Sequence, residues 1–216
     1  MRDIWTVNTV PLWFSPFFLI WAWVFGGLMF SSFFVLSRML AKMDIISDDG
    51  FDPKVDQGIY CIWHEDLIPS FLWLCRFKHR QVWLNHPLWY MKPVHVMLKL
   101  IGVSRIILGS SGHKGKEAAN ALVPFLIEGS STLVALDGPA GPAKKAKTGA
   151  CHMGIKSGAP LIPVTFELPK FFRLPSWDKK RVPLPLTTMV VHLHRRINTK
   201  GESVEGVYEK LTSALN

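Results

Sequence analysis

Hydrophobic residues dominate the amino-terminal part of the chain. Residues 4–37 carry no charged side chain, and residues 11–36 are almost wholly apolar. This run is longer than the roughly 20 residues that a helix needs to cross a bilayer. Pairs of small residues interrupt it near its middle, so a single spanning helix and a re-entrant helical pair both agree with the pattern. Residues 1–43 are therefore predicted to form a membrane anchor, in preference to a core helix of a soluble protein.

Two features of the apolar run support an anchor. Tryptophans gather towards one end of it, as expected of side chains at a lipid–water interface, namely Trp5, Trp13, Trp21 and Trp23. Arg38 and Lys42 follow the run, which favours a cytoplasmic location for the residues after it. We expect the protein at the cytoplasmic face of the inner or cell membrane.

Residues 44–57 are acidic and are predicted to be a linker, after which short apolar runs alternate with longer helical patterns. The predicted strands are 59–63, 81–84, 104–108, 131–135, 161–166 and 189–193. The predicted helices are 67–77, 88–101, 117–128, 150–157 and 202–216. Strands that alternate with helices of this length are typical of βαβ crossovers. Residues 58–216 are therefore predicted to form an α/β domain with a mainly parallel central sheet flanked by helices.

Composition adds a preference among partners. The 216 residues carry a formal net charge of +9 and include 9 Trp and 14 Phe. A basic, aromatic-rich chain suits an anionic membrane surface. Nucleic acid is not expected as a partner, because the aromatic residues concentrate near the amino terminus and not among the lysines. The three cysteines are expected to be buried reduced thiols, since their spacings match neither a C-x-x-C pair nor a metal site.

Polar loops follow three of the predicted strands, and parallel strands gather ligands at their carboxyl ends. The first loop begins with His64-Glu65-Asp66. A histidine beside two carboxylates is a candidate general base, although a capping or merely solvated cluster has the same composition. The second loop, residues 109–116, is basic and glycine-rich but lacks the spacing of a P-loop.

The third loop, residues 137–147, reads Asp-Gly-Pro-Ala-Gly-Pro-Ala-Lys-Lys-Ala-Lys. Proline fixes φ and lacks an N–H group, and glycine permits unusual backbone angles, so the loop is predicted to be rigid. One carboxylate and three lysines on a rigid loop suit a phosphorylated or otherwise anionic substrate. An ordinary turn with a solvated basic face is the alternative. All three loops are predicted to share one rim of the sheet.

Several segments together resemble the lysophospholipid acyltransferase-like family, a former domain of unknown function within the glycerolipid acyltransferase superfamily. They are Trp63-His64, Gly109-Ser110-Ser111, Asp137-Gly138-Pro139-Ala140-Gly141-Pro142 with its trailing lysines and Gly149, residues 157–164, and Ser176-Trp177-Asp178 followed by Val182-Pro183-Leu184-Pro185. The resemblance covers residues 58–197. It implies an α/β domain on a membrane-bound amino-terminal helix, and transfer of a fatty acyl group from a thioester carrier to a hydroxyl.

The resemblance also implies roles for individual residues. His64 matches the general base of the superfamily, which takes the proton of the acceptor hydroxyl. The acidic residue that the superfamily usually carries five positions later is replaced by Pro69, so Glu65, Asp66 or Asp137 is expected to orient the imidazole ring. Asp66 is the preferred candidate and Asp137 the second.

The matching substrate-binding blocks are expected to hold acceptor or carrier phosphates. Their residues are Gly109, Ser110, Ser111, Gly138, Pro139, Gly141, Lys144, Lys145 and Lys147. Acyl-CoA or acyl carrier protein is the expected donor, membrane lipids are the expected partners, and neither a cofactor nor a metal is expected.

The first functional hypothesis is therefore an acyltransferase acting on a lipid acceptor such as a lysophospholipid. A non-catalytic lipid-binding or scaffolding protein with the same fold is the alternative, because Pro69 stands where an acidic residue is usual. A lipid hydrolase is a third reading, which the lack of a G-x-S-x-G nucleophile elbow disfavours. The patterns do not distinguish a lysophospholipid from a saccharolipid or an amino-acid-based lipid as acceptor, and they carry no sign of oligomeric state.

Overall fold

The computed structural model describes residues 10, 13–76, 80–110 and 114–215. Within these ranges the helices are α1 (Phe18–Met39), α2 (Leu67–Leu74), α3 (Lys92–Ile101), α4 (Gly115–Ile127), α5 (Gly149–Ser157) and α6 (Val204–Leu215). The strands are β1 (Lys42–Ser47), β2 (Ile59–Ile62), β3 (Val82–Asn85), β4 (Arg105–Leu108), β5 (Thr132–Ala135), β6 (Leu161–Glu167), β7 (Phe171–Arg173), β8 (Arg181–Pro183) and β9 (Thr188–Leu193). Short 3-10 turns at Ser15–Phe17, His64–Asp66 and Trp89–Met91 precede α1, α2 and α3.

In the described part of the chain, the central sheet has the strand order β1-β9-β6-β2-β5. β3 and β4 pair with each other, and a parallel bridge between Gln81 and Ser131 places them beside β5. In the central sheet and in the β3–β4 pair, neighbouring strands run parallel, except that β6 and β9 are antiparallel. The prediction of a mainly parallel sheet flanked by helices is confirmed. As a result, the carboxyl ends of β2, β5, β3 and β4 lie at one edge of the sheet.

Helices cover both faces of the sheet at β2, and this explains its uninterrupted apolar sequence. Tyr60 and Ile62 belong to a core that includes α2 and α3 and against which α1 packs. Ile59 and Cys61 belong to a second core with α4, α5 and α6. Successive side chains of a strand point to opposite faces, so a strand covered on both faces is apolar at every position.

Three strands, β1, β7 and β8, were not predicted. β1 includes residues 44–47, which the sequence analysis assigned to a linker, and it pairs in parallel with β9. Residues 44–47 are therefore part of a strand, because the chain enters the sheet within three residues of the end of α1, while the division into an anchor and a domain stays a prediction. β1 is an edge strand with several exposed positions, so its sequence lacks the apolar run that marks a buried strand. β7 and β8 form an antiparallel hairpin where a proline-rich, aromatic loop was expected.

One side of α1 packs against the α/β domain. A Cβ atom at Gly26 would lie 2.6 Å from Val96 Cβ, so glycine permits the close approach of α1 and α3. Ser37 is buried and donates a hydrogen bond to the carbonyl of Leu72 at 3.1 Å, which joins α1 to α2. Exposed apolar side chains lie elsewhere on the helix, among them Trp23, Val24, Phe25, Leu28 and Val35. With its preceding turn, Ser15–Met39 is long and apolar enough to cross a membrane by length and composition.

Candidate active site

His64 lies at the carboxyl end of β2, at the edge where several polar loops begin. Trp63 is still extended, and the chain then turns through His64–Asp66 into α2. Asp137 follows β5, and Gly109 follows β4, so both lie along the same edge. The three loops identified in the sequence therefore start at one side of the sheet.

The buried carboxylate of Asp137 holds the backbone of two loops together. Its Oδ1 accepts a hydrogen bond from the backbone N–H of His64 at 2.8 Å, and its Oδ2 accepts one from the backbone N–H of Lys144 at 2.9 Å. Lys147 Nζ donates to the carbonyl of Gly138 at 2.7 Å and closes the loop from the other side. Asp137 thus positions the backbone of His64, whereas the carboxylate that hydrogen-bonds the imidazole ring comes from elsewhere.

That carboxylate belongs to Asp178. Its Oδ2 is hydrogen-bonded to His64 Nδ1. Ser176 Oγ donates to Asp178 Oδ1 at 2.5 Å, and Lys180 Nζ lies 2.5 Å from Asp178 Oδ2. The expectation that Glu65, Asp66 or Asp137 orients the ring is therefore corrected. Asp178 reaches the ring from a loop 114 residues further along the chain, which no local spacing reveals.

The electrostatic environment sets the protonation states of this pair. Burial opposes ionisation of Asp178, but hydrogen bonds from Lys180, Ser176 and His64 outweigh it and lower the pKa of Asp178 to about 2. Burial is also the main reason that the pKa of His64 lies below 6.5; the hydrogen bond to Asp178 raises it, and the charge of Lys180 lowers it. At neutral pH the pair is therefore an anionic carboxylate beside a neutral imidazole. With Nδ1–H donated to Asp178, Nε2 carries the lone pair, which is the arrangement that a general base requires.

Two glycines of the 137–147 loop pack against His64 and its neighbour Trp177. A Cβ atom at Gly138 would lie 2.6 Å from His64 Cδ2 and 3.2 Å from His64 Nε2. Gly141 has a φ of +72°, and a Cβ atom there would lie 2.8 Å from the Trp177 ring. The centroids of the Trp177 and His64 rings are 5.0 Å apart. The peptide bonds before Pro139 and Pro142 are both cis. The loop, the imidazole and the indole therefore form one closely packed unit in which a larger residue does not fit.

Asp66 and Glu65 pair with cations instead of the imidazole. Asp66 is buried and accepts hydrogen bonds from Arg181 on β8, including one from Nε at 2.8 Å. Burial raises the pKa of Asp66 to about 6, although the charge of Arg181 acts in the opposite direction. Glu65 lies 2.7 Å from Arg173 Nη1 on β7 and 2.5 Å from Lys144 Nζ. These ion pairs connect the β7–β8 hairpin and the 137–147 loop to the start of α2.

The predicted substrate-binding residues differ in their contacts. The side chains of Lys144 and Lys147 already have partners, whereas Lys145 is exposed, and its backbone N–H donates to the carbonyl of Pro142 at 3.3 Å. Gly109 N–H donates to the carbonyl of Asn85 at 2.8 Å, which ties the 109–116 loop to the end of β3. Ser110 Oγ lies 2.6 Å from Nδ1 of His86, on the same side. Ser111 lies outside the described residues.

Sequence reasoning assigned no role to Asp178 or Lys180. The segment Ser176-Trp177-Asp178 was among those that carry the family resemblance. An acidic residue within such a segment is the signal that could have identified the partner of His64. The contact of Asp178 with His64 is visible only in the three-dimensional structure.

Comparison with known proteins supports the fold. No protein-family model matches the chain. An uncharacterized protein of Rickettsia prowazekii (strain Madrid E) is 30% identical over 138 residues, which make up 63% of this chain and 62% of that protein's length. The crystal structure of the 1-acyl-sn-glycerophosphate (LPA) acyltransferase PlsC from Thermotoga maritima matches with a TM-score of 0.50 and 15% identity, over 94% of this chain and 88% of that one. The chain therefore has an acyltransferase-like fold.

Proposed function

We propose that the protein is a membrane-associated acyltransferase that moves a fatty acyl group from acyl-CoA or acyl carrier protein to a hydroxyl of a lipid acceptor such as a lysophospholipid. The observation that carries this proposal is the hydrogen-bonded pair of His64 and Asp178 at the carboxyl edge of the sheet. The fold shared with an acyltransferase supports it at a coarser level.

His64 is the general base of the proposed reaction. Nε2 takes the proton of the acceptor hydroxyl as its oxygen forms a bond to the carbonyl carbon of the thioester. When the tetrahedral intermediate collapses, the carbon–sulfur bond breaks, and the imidazolium gives its proton to the leaving thiolate. Asp178 stays ionised and stabilises the imidazolium between these steps. Because the acceptor oxygen attacks the thioester directly, the proposed reaction needs no covalent acyl-enzyme.

The 137–147 loop supplies the proposed contacts to phosphate on the donor or the acceptor. Lys145 is the first candidate, because its side chain is exposed while Lys144 and Lys147 are tied to Glu65 and to a loop carbonyl. A lysine acts on phosphate as a flexible point charge. Gly138, Pro139 and Gly141, with Gly109 to Ser111 of the neighbouring loop, are proposed to shape the remainder of the substrate site.

The apolar helix α1 is proposed to bring this site to the membrane. Many of its exposed side chains are large and apolar, and its other side is packed on α2 and α3. A site fixed to such a helix meets lipid acceptors without their leaving the bilayer. The cytoplasmic face is the proposed side, because Arg38 and Lys42 follow the apolar run.

The two alternatives make different predictions about products. A non-catalytic lipid binder was suggested by Pro69, but Asp178 now provides the carboxylate that position 69 lacks. A hydrolase would release free fatty acid or phosphate instead of an acylated acceptor.

The test uses membranes that contain the protein or its His64→Ala variant, incubated with a total lipid extract and a radiolabelled acyl group, which is supplied first on CoA and then on acyl carrier protein. A labelled lipid that forms only with the intact histidine is expected, and its identity gives the class of acceptor. Equal transfer by the His64→Ala variant would refute the assigned base. An inactive intact protein with both donors would favour the lipid binder.

A further inference from the structure

A second group of histidines lies on β9, away from the edge that holds His64. His192 is in β9, His194 follows its end, and Asp48 follows the end of β1. The parallel register pairs Ser47 with Leu193, so Asp48 comes beside His194. His192 and His194 are two positions apart on an extended chain and therefore share one face of the sheet.

The three side chains converge on one point. His192 Nε2 lies 2.7 Å from Asp48 Oδ1, and His194 Nδ1 lies 3.5 Å from Asp48 Oδ2. One ligand atom from each residue falls within 4.8 Å of the others. Ligand atoms around a tetrahedral Zn²⁺ with bonds of ~2.1 Å are about 3.4 Å apart. The group is therefore close to the dimensions of a metal site, and an ion needs only small shifts of the side chains.

The remaining nitrogen of His194 has the partner that a metal-binding histidine needs. His194 Nε2 lies 2.8 Å from the hydroxyl of Thr165 on β6. Metal-ligating histidines usually donate their other ring N–H to an oxygen, which fixes the tautomer and the ring orientation. With Nε2–H donated to Thr165, the lone pair of Nδ1 points to the side of Asp48.

The surroundings allow an ion to enter. The side chains of Asp48, His192 and His194 are 39%, 28% and 22% exposed, so water can reach the group. The nearby cation Arg196 is paired with a different carboxylate, Asp49, at 2.9 Å from its Nε. The carboxylate of Asp48 is thus shared between two imidazoles and does not neutralise that guanidinium.

We propose that Asp48, His192 and His194 bind a divalent transition-metal ion, with Zn²⁺ preferred and water completing the coordination shell. Two imidazoles and one carboxylate are a donor set suited to such ions. The ion would join β1 to β9 and so fasten the strand that follows α1 to the sheet. β6 separates β9 from β2, so this site is distinct from the acyl-transfer site, and the proposal holds whether or not the acyltransferase function does. It replaces the expectation from sequence that the protein holds no metal.

The test is direct metal binding by the purified, untagged full chain, because a polyhistidine tag would itself bind metal. Co²⁺ is titrated into metal-free protein and followed by its visible absorption, and Zn²⁺ is then used to displace it. We expect the protein to bind one equivalent of Co²⁺ with the intense visible absorption of a low-symmetry coordination site. One equivalent of Zn²⁺ should then displace the Co²⁺. The melting temperature should also rise with Zn²⁺, because a ligand that binds the folded state stabilises it.

Variants decide whether this binding belongs to the proposed site. His192→Ala and His194→Ala should each abolish the Co²⁺ spectrum. Asp48→Asn keeps the size of the side chain and should also abolish the spectrum, so it provides the test if an alanine variant fails to fold. Thr165→Val should weaken binding by about 10- to 100-fold, the usual effect of removing such an outer contact. His152→Ala, an exposed histidine on α5, is the matched control and should bind like the unaltered protein. Absence of stoichiometric binding by the unaltered protein, or binding that survives the loss of His192 or His194, would overturn the proposal.

Discussion

Two clusters in this molecule bring aspartate and histidine together, and they differ in burial and in the number of imidazoles. At the carboxyl edge of the sheet, one imidazole meets the fully buried carboxylate of Asp178, which also binds Lys180 and Ser176. On the face of the sheet at β9, two imidazoles meet the carboxylate of Asp48, which is 39% exposed. Both clusters combine an aspartate carboxylate with imidazole, so the burial and the other partners of each carboxylate must determine what each cluster can do.

The comparison shows how the surroundings direct the chemistry. At His64 one ring nitrogen is hydrogen-bonded to an ionised carboxylate, and the other is the proposed site of proton transfer, beside a loop in which Gly138 leaves no room for a side chain. At β9 one nitrogen from each of His192 and His194 lies close to the carboxylate of Asp48, an arrangement that could hold a metal ion. The predictions below test this distinction, beginning with the largest expected effect.

Replacing Asp178 by Asn should remove most of the acyl transfer. The amide is neutral and cannot stabilise the imidazolium of His64, so we expect the rate to fall by about 10³-fold, within the range typical of general acid–base catalysis. The measurement is the initial rate of acyl transfer by the purified variant in lipid vesicles. Retention of more than a tenth of the rate, with a native circular dichroism spectrum, would show that the pair is structural.

Replacing Gly138 by Ala should displace the imidazole without changing any charge. The new methyl group would lie 2.6 Å from His64 Cδ2, so the ring or the loop must move. A displacement near 1 Å costs about 10²-fold in rate. Gly149→Ala is the matched control and should retain full transfer, because the added methyl group would meet no atom within 4 Å beyond its chain neighbours and the backbone of its own helix. Equal rates of acyl transfer by Gly138→Ala and Gly149→Ala would argue against a functional role for the close packing of the 137–147 loop on His64.

Replacing Asp66 by Asn should act mainly on stability. Arg181 would lose its buried carboxylate partner, and breaking such a pair costs about 3 kcal/mol of unfolding free energy. The measurement is the melting temperature of the variant beside that of Asp178→Asn. If Asp66→Asn kept the native melting temperature and lost transfer as completely as Asp178→Asn, Asp66 would belong to the reacting pair after all.

The pH dependence of transfer should follow the pKa of His64. The base works in its neutral form, and burial holds its pKa below 6.5, so transfer should be complete at neutral pH and fall as the pH drops through that lowered value. Asp178 raises this pKa, so its loss should move the residual acidic limb to still lower pH. The measurement is kcat/KM from pH 4 to 8 for both proteins. An acidic limb above pH 6.5 would contradict the environment described for His64.

The sequence predicted the fold better than it predicted the site. β2 is buried throughout and β5 at its first two positions, and each belongs to a short apolar run that a polar loop follows. A pattern of this kind can be recognised within a few residues of sequence. The edge strand β1 was missed because half-exposed positions break its apolar pattern. His64 was found because it directly follows a buried strand. Asp178 was not, since its position depends on a loop that returns to the ring from β7 and β8.

The same limit applies to the cluster on β9. His192 and His194 are separated by one residue, which alone is a weak sign of a metal site. Asp48 lies 144 residues from His192 and comes to it only through the parallel pairing of β1 with β9. A ligand set divided between two distant strands cannot be recognised until the register of the sheet is known.

The measurement that tests the central claim most directly compares His64→Gln with His152→Gln, both purified and returned to lipid vesicles with the donor and acceptor found active for the unaltered protein. Products are separated so that acylated lipid is distinguished from free fatty acid. His64→Gln should form no acylated lipid above the uncatalysed rate, while His152→Gln, with its exposed ring on α5, should match the unaltered protein. Full formation of acylated lipid by a folded His64→Gln variant would contradict the assignment of His64 as the base.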